Sequence, residues 1–211
     1  MQPNLAQEKK LRKKGYKIIG CLDEVGRGSL AGPVMAVIVV TSLISNFQFL
    51  KGIKDSKKLS LKKREKNYKI LINHPQIKWG VGRVSEKIID KINIFEATKL
   101  AMKKAVRNLE KKIAKNFKID FLILDGRMKL DLEIPQKSII KADEKIFSCA
   151  CASIIAKVKR DKIMKNYSKI YPLYRFEKNK GYPTKEHLRF IKKYGCCKIH
   201  RKTFSPVVKI K

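Results

Sequence analysis

The sequence predicts an α/β domain in which helices are layered against a sheet, followed by a helical, basic C-terminal extension. Two observations predict this fold class. Short apolar runs rich in β-branched residues alternate with longer segments whose apolar residues recur every three or four positions. The 211 residues also contain no internal repeat and no Gly/Ser-rich linker that would divide the core. We therefore expect a basic N-terminal tail over residues 1–16 and one domain over residues 17–211.

The first two strands are predicted to form an antiparallel hairpin. Residues 17–22 (KIIGCL) end in Asp23 and Glu24, and residues 34–40 (VMAVIVV) form a longer apolar run. The intervening GRGSLAGP is short and rich in glycine, which favours a tight connection. A further strand is expected over residues 77–84, because apolar and polar side chains alternate there.

Helices between and after these strands carry recognisable start signals. Ser60 is placed to cap a helix, and Asn93 followed by Glu96 resembles a capping box. A basic helix is expected over residues 185–194 of the C-terminal extension. We expect the helix that opens at Asn93 to bury one apolar face, formed by Phe95, Met102, Ala105, Val106, Leu109 and Ile113.

The second half of the chain supplies two more strands and a long helix. Residues 119–124 (IDFLIL) form an apolar run that ends at Asp125, and residues 138–140 begin a short strand closed by Asp143. A single long helix is predicted over residues 144–167. Its expected inward side chains are Phe147, Cys151, Ile154, Ile155 and Val158.

The chain is strongly basic, with 51 Lys and Arg against 18 Asp and Glu and a formal net charge of +33. So positive a surface attracts polyanions, and nucleic acid is the first partner expected. Lysine outnumbers arginine 41 to 10, a bias that an A/T-rich coding sequence also produces, so part of the charge can be compositional. No apolar run reaches the about 18 residues of a membrane span, and the polar N-terminus does not resemble a signal peptide. We expect a cytoplasmic protein.

The cysteines are expected to be reduced thiols. Their number is odd, no CxxC pair occurs, and no secretory signal places the chain in an oxidising compartment. Cys196, Cys197 and His200 do not match the ligand spacing of a structural zinc site.

Acidic residues stand at the ends of three predicted strands. Asp23 and Glu24 end the first, Asp125 ends a central one, and Asp143 follows a third. Carboxylates from separate segments can converge into an oxygen cage that suits Mg²⁺ or Mn²⁺. Two such ions can activate water and stabilise the leaving oxygen in phosphodiester cleavage. The alternative is that each acid caps a helix or turn, or pairs with a lysine, and the spacing leaves both interpretations open.

Seven sequence blocks, in order from about residue 17 to residue 207, resemble ribonuclease HII, the prokaryotic type 2 ribonuclease H. They are DEVGRGSLAGPV, DSKKLS, LILDG, KADEKI, ASIIAKVKRDKIM, NKGYPT and HRKTFSP. The resemblance implies a ribonuclease H-like fold, which is a mixed five-stranded sheet flanked by helices, with the C-terminal helical segment part of the same catalytic domain.

The resemblance also implies a catalytic centre that holds two Mg²⁺ or Mn²⁺ ions. Its catalytic, metal-binding carboxylates fall on Asp23, Glu24, Asp125 and Asp143. Asp161 is the alternative for the fourth place, but it lies in the middle of a helix between Arg160 and Lys162. A structural ion pair or a charge on the helix surface is the simpler role for it.

A substrate-reading device is implied at a glycine turn and a tyrosine, which are Gly26, Arg27, Gly28 and Tyr182. Glycines let the backbone approach a ribose 2′-hydroxyl, and the tyrosine ring can stack on the adjoining sugar. A tight hairpin that needs positive φ would explain the glycines equally well. Lys57 and Lys58 are candidates for phosphate contact, with a solvated charge pair as the alternative.

The implied activity is an endonuclease that hydrolyses the RNA strand of RNA–DNA hybrids and cuts 5′ of single ribonucleotides in duplex DNA, with no obligate protein partner. One alternative is ribonuclease HIII, which normally carries an extra N-terminal domain and lysine in place of Arg27. The other is a non-catalytic, basic nucleic-acid-binding protein. His187 and His200 are expected to be structural or adjacent to substrate rather than catalytic bases. Positions that depart from the family pattern are Ser29, Ala142, Cys149 and Cys151.

Overall fold

The computed structural model describes residues 2–41, 53, 59–113 and 116–209, so Lys57 and Lys58 lie outside the described residues. The strands are β1 (Ile19–Val25), β2 (Val34–Thr41), β3 (Ile77–Val84), β4 (Phe121–Asp125) and β5 (Gln136–Ile139). The helices are α1 (Ala6–Lys13), α2 (Leu61–Asn73), α3 (Glu86–Ile113), α4 (Ala142–Lys145), α5 (Phe147–Ile170), α6 (Phe176–Asn179) and α7 (Lys185–Tyr194). Short 3-10 turns occupy Pro172–Tyr174 and Val207–Lys209.

Strand β1 lies at the centre of a mixed five-stranded sheet with the order β3-β2-β1-β4-β5. The predicted hairpin is confirmed, because β1 and β2 are antiparallel, with Asp23 opposite Val37 and Glu24 opposite Ala36. Strand β3 is antiparallel to β2, whereas β4 runs parallel to β1 and β5 parallel to β4. The carboxyl ends of β1, β4 and β5 therefore lie at the same end of the sheet.

Helices cover both faces of the sheet, and β2 is buried between them. Val37 and Val39 pack with α2 and α5, while Ala36 and Ile38 pack with α3. A strand covered on both faces has no polar side, which explains the unbroken apolar run over residues 34–40.

Helix α3 approaches β3 unusually closely at two glycines. A Cβ atom on Gly82 would lie 1.8 Å from the carbonyl oxygen of Ala101, and one on Gly80 would lie 2.5 Å from that of Ala105. Only residues without a side chain permit this contact between the helix and the strand.

Helix α3 starts earlier than the capping signal predicts. It begins at Glu86 and is kinked at Asn93, whose φ of 65° and ψ of 169° interrupt the helical backbone. The Asn93 side chain nevertheless caps the second part, because its Oδ1 accepts hydrogen bonds from the N–H groups of Phe95 and Glu96. Phe95, which was expected to face the core, is 44% exposed and lies in the first helical turn after the kink at Asn93.

Two other helix predictions have different outcomes. The Ser60 hydroxyl accepts a hydrogen bond from the Lys63 N–H, which confirms the N-cap of α2. The single helix predicted from Glu144 is instead two, α4 and α5, separated at Ile146 by an extended φ of −113° and ψ of 124°. Its five predicted inward residues are nonetheless all buried. No helix in the described ranges is long and apolar enough to cross a membrane.

Part of the basic N-terminal tail expected over residues 1–16 is helical and packs against the domain. It forms α1, and Leu5 and Leu11 are buried against the domain. The Glu8 carboxylate is also buried and accepts a hydrogen bond from the Ser148 hydroxyl at 2.8 Å. Lysines on the exposed side of α1 dominated the composition and concealed this amphipathic pattern.

The C-terminal helices pack against the connection between β1 and β2. Leu30 and Ala31 of that connection share one apolar cluster with Met164 of α5, Phe176 of α6 and Ile191 of α7. This packing holds residues of the C-terminal segment beside the end of β1, where the acidic residues lie.

Candidate active site

The sheet topology brings three of the four predicted carboxylates together. Asp23 lies near the end of β1, Asp125 is the last residue of β4, and Asp143 lies in α4 just after β5. One oxygen of each side chain lies within 4.8 Å of the others. The parallel arrangement of β1, β4 and β5 is the cause, because it directs these three strand ends to the same place.

Glu24 lies beside this group but is directed differently. Side chains alternate along a strand, so Asp23 shares the face covered by α5, whereas Glu24 shares the face covered by α3. One Glu24 oxygen lies 3.5 Å from the Arg27 guanidinium. The other is buried and has no hydrogen-bond partner in the described part of the chain.

The acidic side chains are held in an environment that disfavours their ionisation. Burial raises the pKa of Asp23 well above its ordinary value, and the charges of Glu24 and Asp125 raise it further. A hydrogen bond with the Ser153 side chain lowers this pKa but does not offset the increase. Burial also raises the pKa of Glu24, although Arg27 opposes the increase. Every candidate ligand atom in this group is a carboxylate oxygen. A divalent cation bound among these oxygens would offset their mutual repulsion. The residues present therefore fit such an ion.

A backbone hydrogen bond orients the Asp125 carboxylate. The Asp125 Oδ1 accepts a hydrogen bond from the Ala142 N–H at 2.7 Å, which ties the end of β4 to the start of α4. Ala142 stands where glycine is common in the family pattern, yet the left-handed residue is its neighbour Lys141, with a φ of 57°. Alanine at 142 therefore introduces no backbone strain.

A cavity of about 440 Å³ opens beside Asp23 and Glu24. Its other lining residues are Val25, Gly26, Arg27, Gly28, Ser153, Lys157 and Tyr182. The structure thus places the glycine turn (residues 26–28) and Tyr182 at the same cavity as two of the acids. The Tyr182 ring lies 5.5 Å from the Nζ of Lys157 and 5.5 Å from the Cζ of Arg160, measured to its centroid.

The two glycines of the turn serve different purposes. Gly26 has a φ of 91°, and a Cβ there would lie 2.2 Å from the Nε of Arg160. Gly28 does not have a positive φ, and a Cβ there would meet no atom of the described residues within 4 Å. The hairpin requirement therefore explains Gly26 but not Gly28, which leaves an open approach to the backbone.

Two buried arginines, Arg160 and Arg201, hold the glycine turn, and sequence reasoning missed both. Arg201 donates to the carbonyls of Gly26 and Arg27 at 2.7 and 2.9 Å. Arg160 donates to the carbonyls of Ala31 and Pro33, which follow the turn. It also donates to the Lys180 carbonyl at 2.9 Å, two residues before Tyr182. Both are fully buried, and burial lowers the pKa of Arg201 to about 9. A basic chain offers no pattern that separates a buried arginine from a surface one.

Asp161 does not join the acidic group. Its carboxylate lies 3.0 Å from the Nζ of Lys157 and 3.9 Å from a guanidinium nitrogen of Arg64, in a partly buried, structural ion pair. The remaining departures from the family pattern, Ser29, Cys149 and Cys151, are all fully buried side chains that replace none of the carboxylates.

The match to known proteins extends over nearly the whole chain. The sequence model of ribonuclease HII matches residues 19–207. The chain belongs to the ribonuclease HII family. A ribonuclease HII from Caldicellulosiruptor saccharolyticus is 48% identical over 197 residues, which are 93% of this chain and 91% of that protein. The chain is therefore a ribonuclease H that acts on RNA–DNA hybrids, in a family that uses divalent metal ions.

Solved structures confirm the ribonuclease H-like fold. Ribonuclease H2 from Pyrococcus horikoshii matches with a TM-score of 0.70 and 26% identity, over 91% of this chain and 96% of that one. A chain in the PCNA:RNase HII complex from Archaeoglobus fulgidus has a TM-score of 0.70 at 23% identity, over 89% and 95%. Bst-RNase HIII in complex with Mn²⁺ has a TM-score of 0.67 at 18% identity, over 91% of this chain and 68% of that one. Family membership favours ribonuclease HII over both ribonuclease HIII and a non-catalytic binding protein.

Proposed function

We propose that this ribonuclease H hydrolyses its substrate with two metal ions and also cuts 5′ of a single ribonucleotide embedded in duplex DNA. The products would carry a 3′-hydroxyl and a 5′-phosphate. The observation that carries the proposal is the convergence of Asp23, Asp125 and Asp143 within 4.8 Å, beside a cavity lined by Glu24 and the glycine turn.

The four carboxylates would hold the ions. Asp23, Asp125 and Asp143 offer oxygens that lie close together, and the buried Glu24 oxygen, which has no hydrogen-bond partner among the described residues, offers another. Oxygen donors suit Mg²⁺ and Mn²⁺, which, when bound, activate water and stabilise the leaving oxygen. The histidines do not supply a base, because His187 and His200 are buried and bonded to each other.

The glycine turn would read the ribose. In the described part of the chain neither the Arg27 nor the Gly28 amide donates a hydrogen bond, and both N–H groups are candidates for contact with a 2′-hydroxyl. Tyr182 lies on the cavity wall and offers a ring for stacking on the adjoining sugar. The net charge of +33 adds a sequence-independent attraction for the phosphates of either duplex.

A matched pair of aspartate variants tests the proposal. Asp143→Asn removes one charge from the acidic group and should lower kcat on a continuous hybrid by orders of magnitude, while the fold is retained. Asp161→Asn also removes one negative charge, but from an ion pair outside the acidic group, and should change kcat little.

The assay is cleavage of three duplexes with the same sequence: a continuous hybrid, a DNA duplex with one ribonucleotide, and an all-DNA duplex. We expect cleavage of the first two only, with Mg²⁺ or Mn²⁺ present. A larger loss for Asp161→Asn than for Asp143→Asn would show that the metal ligand has been assigned wrongly. An intact single-ribonucleotide duplex would limit the activity to hybrids.

A further inference from the structure

Two histidines form a buried pair outside the acidic site. His187, on α7, is 0% exposed, and His200, in the segment after it, is 1% exposed. Their Nε2 atoms lie 3.1 Å apart. We call these two residues the histidine pair. The reaction proposed above makes no use of them, and their burial calls for a separate explanation.

The hydrogen bonds of the pair have only one possible direction. The Cys197 backbone N–H donates to the His200 Nδ1 at 2.9 Å, so that nitrogen is an acceptor and the proton of the neutral ring is on Nε2. That Nε2–H must donate to the His187 Nε2. The His187 proton is then on Nδ1, which lies 2.9 Å from the Tyr182 carbonyl oxygen and donates to it.

Both rings must be neutral for this arrangement to exist. Burial lowers the pKa of each histidine, that of His200 to about 4. An additional proton on the His187 Nε2 would face the His200 Nε2–H across the 3.1 Å contact, and one on the His200 Nδ1 would face the Cys197 N–H at 2.9 Å. At neutral pH the chain of hydrogen bonds is therefore intact.

The segment that carries His200 is itself attached to the connection that contains the glycine turn. The Arg201 N–H donates to the Leu30 carbonyl, and the Gly32 N–H donates to the Ile199 carbonyl, each at 2.8 Å. The Arg201 guanidinium adds its bonds to the turn carbonyls. The histidine pair consequently links the backbone of Tyr182 to a segment that is bonded, on both sides of His200, to the connection that contains the glycine turn.

We propose that the histidine pair positions Tyr182 relative to the glycine turn and so determines how well a single ribose is recognised. The inference rests on the proposed function, in which the turn reads the 2′-hydroxyl and Tyr182 stacks on the next sugar. The histidines are positioning residues: they act on the tyrosine through its carbonyl and do not themselves contact the substrate.

The first test needs no activity. Two-bond ¹⁵N–¹H correlation spectra of the full-length protein with ¹⁵N-labelled histidine report which ring nitrogen carries the proton. We expect an Nε2–H tautomer for His200 and an Nδ1–H tautomer for His187 at pH 7. The reverse tautomers, or a charged ring, would overturn the proposal.

The second test is recognition. His200→Phe retains an aromatic ring in the apolar cluster but removes both hydrogen bonds. We expect it to lower the affinity ratio between the single-ribonucleotide duplex and the all-DNA duplex about fivefold, which corresponds to about 1 kcal/mol. Binding is measured in EDTA, so the result does not depend on cleavage. The ratio of kcat/KM for the single-ribonucleotide duplex to that for the continuous hybrid should fall in the same variant.

Further variants distinguish positioning from general support of the fold. His200→Gln keeps one donor and one acceptor and should restore much of the ratio, and His74→Gln, a histidine far from Tyr182 in the sequence, should leave it unchanged. In a Tyr182→Ala background, His200→Phe should lower the ratio no further. Equal weakening of both duplexes, or additive effects with Tyr182→Ala, would overturn the proposal. Absence of cleavage by the wild type would instead contradict the proposed function, and the binding ratio and tautomers would still decide this inference.

Discussion

Acidification should destabilise the wild-type protein more than a His200→Gln variant. His200 is buried and neutral in the folded chain, with a pKa lowered to about 4 by burial and by its neighbour His187. The ordinary value in the unfolded chain is 6.5. As the pH falls below 6.5, the unfolded state takes up a proton that the folded state refuses, so the free energy of unfolding decreases until about pH 4.

The size of the effect follows from these two pKa values. Over the whole window the loss is about 3 kcal/mol, and between pH 7 and pH 5 it is about 2 kcal/mol. Glutamine does not titrate and carries no such loss. The carboxylates of the site, whose pKa values are raised, act in the opposite direction, but they are common to both proteins and cancel in the comparison.

Urea denaturation followed by circular dichroism, at pH 7 and pH 5, measures the difference directly. The free energy of unfolding should fall by about 2 kcal/mol more for the wild type than for His200→Gln. Parallel losses in the wild type and His200→Gln would refute the neutral, buried state assigned to His200.

Three further outcomes are expected. Gly82→Ala should lower the free energy of unfolding by about 1–3 kcal/mol in urea denaturation, because its methyl group would overlap the Ala101 carbonyl oxygen. Gly28→Ala is the control: its methyl group would meet no atom of the described residues within 4 Å, and stability should not change. Excess EDTA should abolish cleavage but not hybrid binding, which the lysines maintain with a steep salt dependence; undiminished cleavage would exclude a metal mechanism. Tyr182→Ala should lower kcat/KM on the single-ribonucleotide duplex more than on the continuous hybrid, where neighbouring registers offer other productive positions; an unchanged ratio would make Tyr182 a packing residue.

The strands and the grouping of the acids were accessible from the sequence for simple physical reasons. The apolar run over residues 34–40 is buried on both faces, and the run that ends at Asp125 lies inside the sheet between β1 and β5. Acids that end such runs are brought together wherever the strands are parallel. The sequence does not specify which strands are parallel, so that step depended on the resemblance to a known family.

The errors arose where long-range packing overrides local pattern. Lysine-rich composition concealed the buried side of α1, and the cap at Asn93 marked a kink inside α3 rather than its start. Gly26 differs from Gly28 because the Arg160 side chain packs against it. Arg160 donates to the Pro33 carbonyl, 127 residues away along the chain. No local signal reports such a contact. Without a structure, the direction of the hydrogen bonds through the histidine pair was equally inaccessible.

The close contact between α3 and β3 has a consequence for the acidic site. Gly82 pairs with Ala36, and Ala36 pairs with Glu24, so the three residues form one row across the sheet. Strand β2 is apolar on both faces and would tolerate a shift of one residue, but β3 would not, because the shift would bring a side chain against the Ala101 carbonyl. Gly80 and Gly82 therefore fix the position of β3 against α3. A shift of β1 by one residue against β2 would exchange the faces on which Asp23 and Glu24 lie, so the pairing of Glu24 with Ala36 decides that Asp23 is the carboxylate on the same face as Asp125.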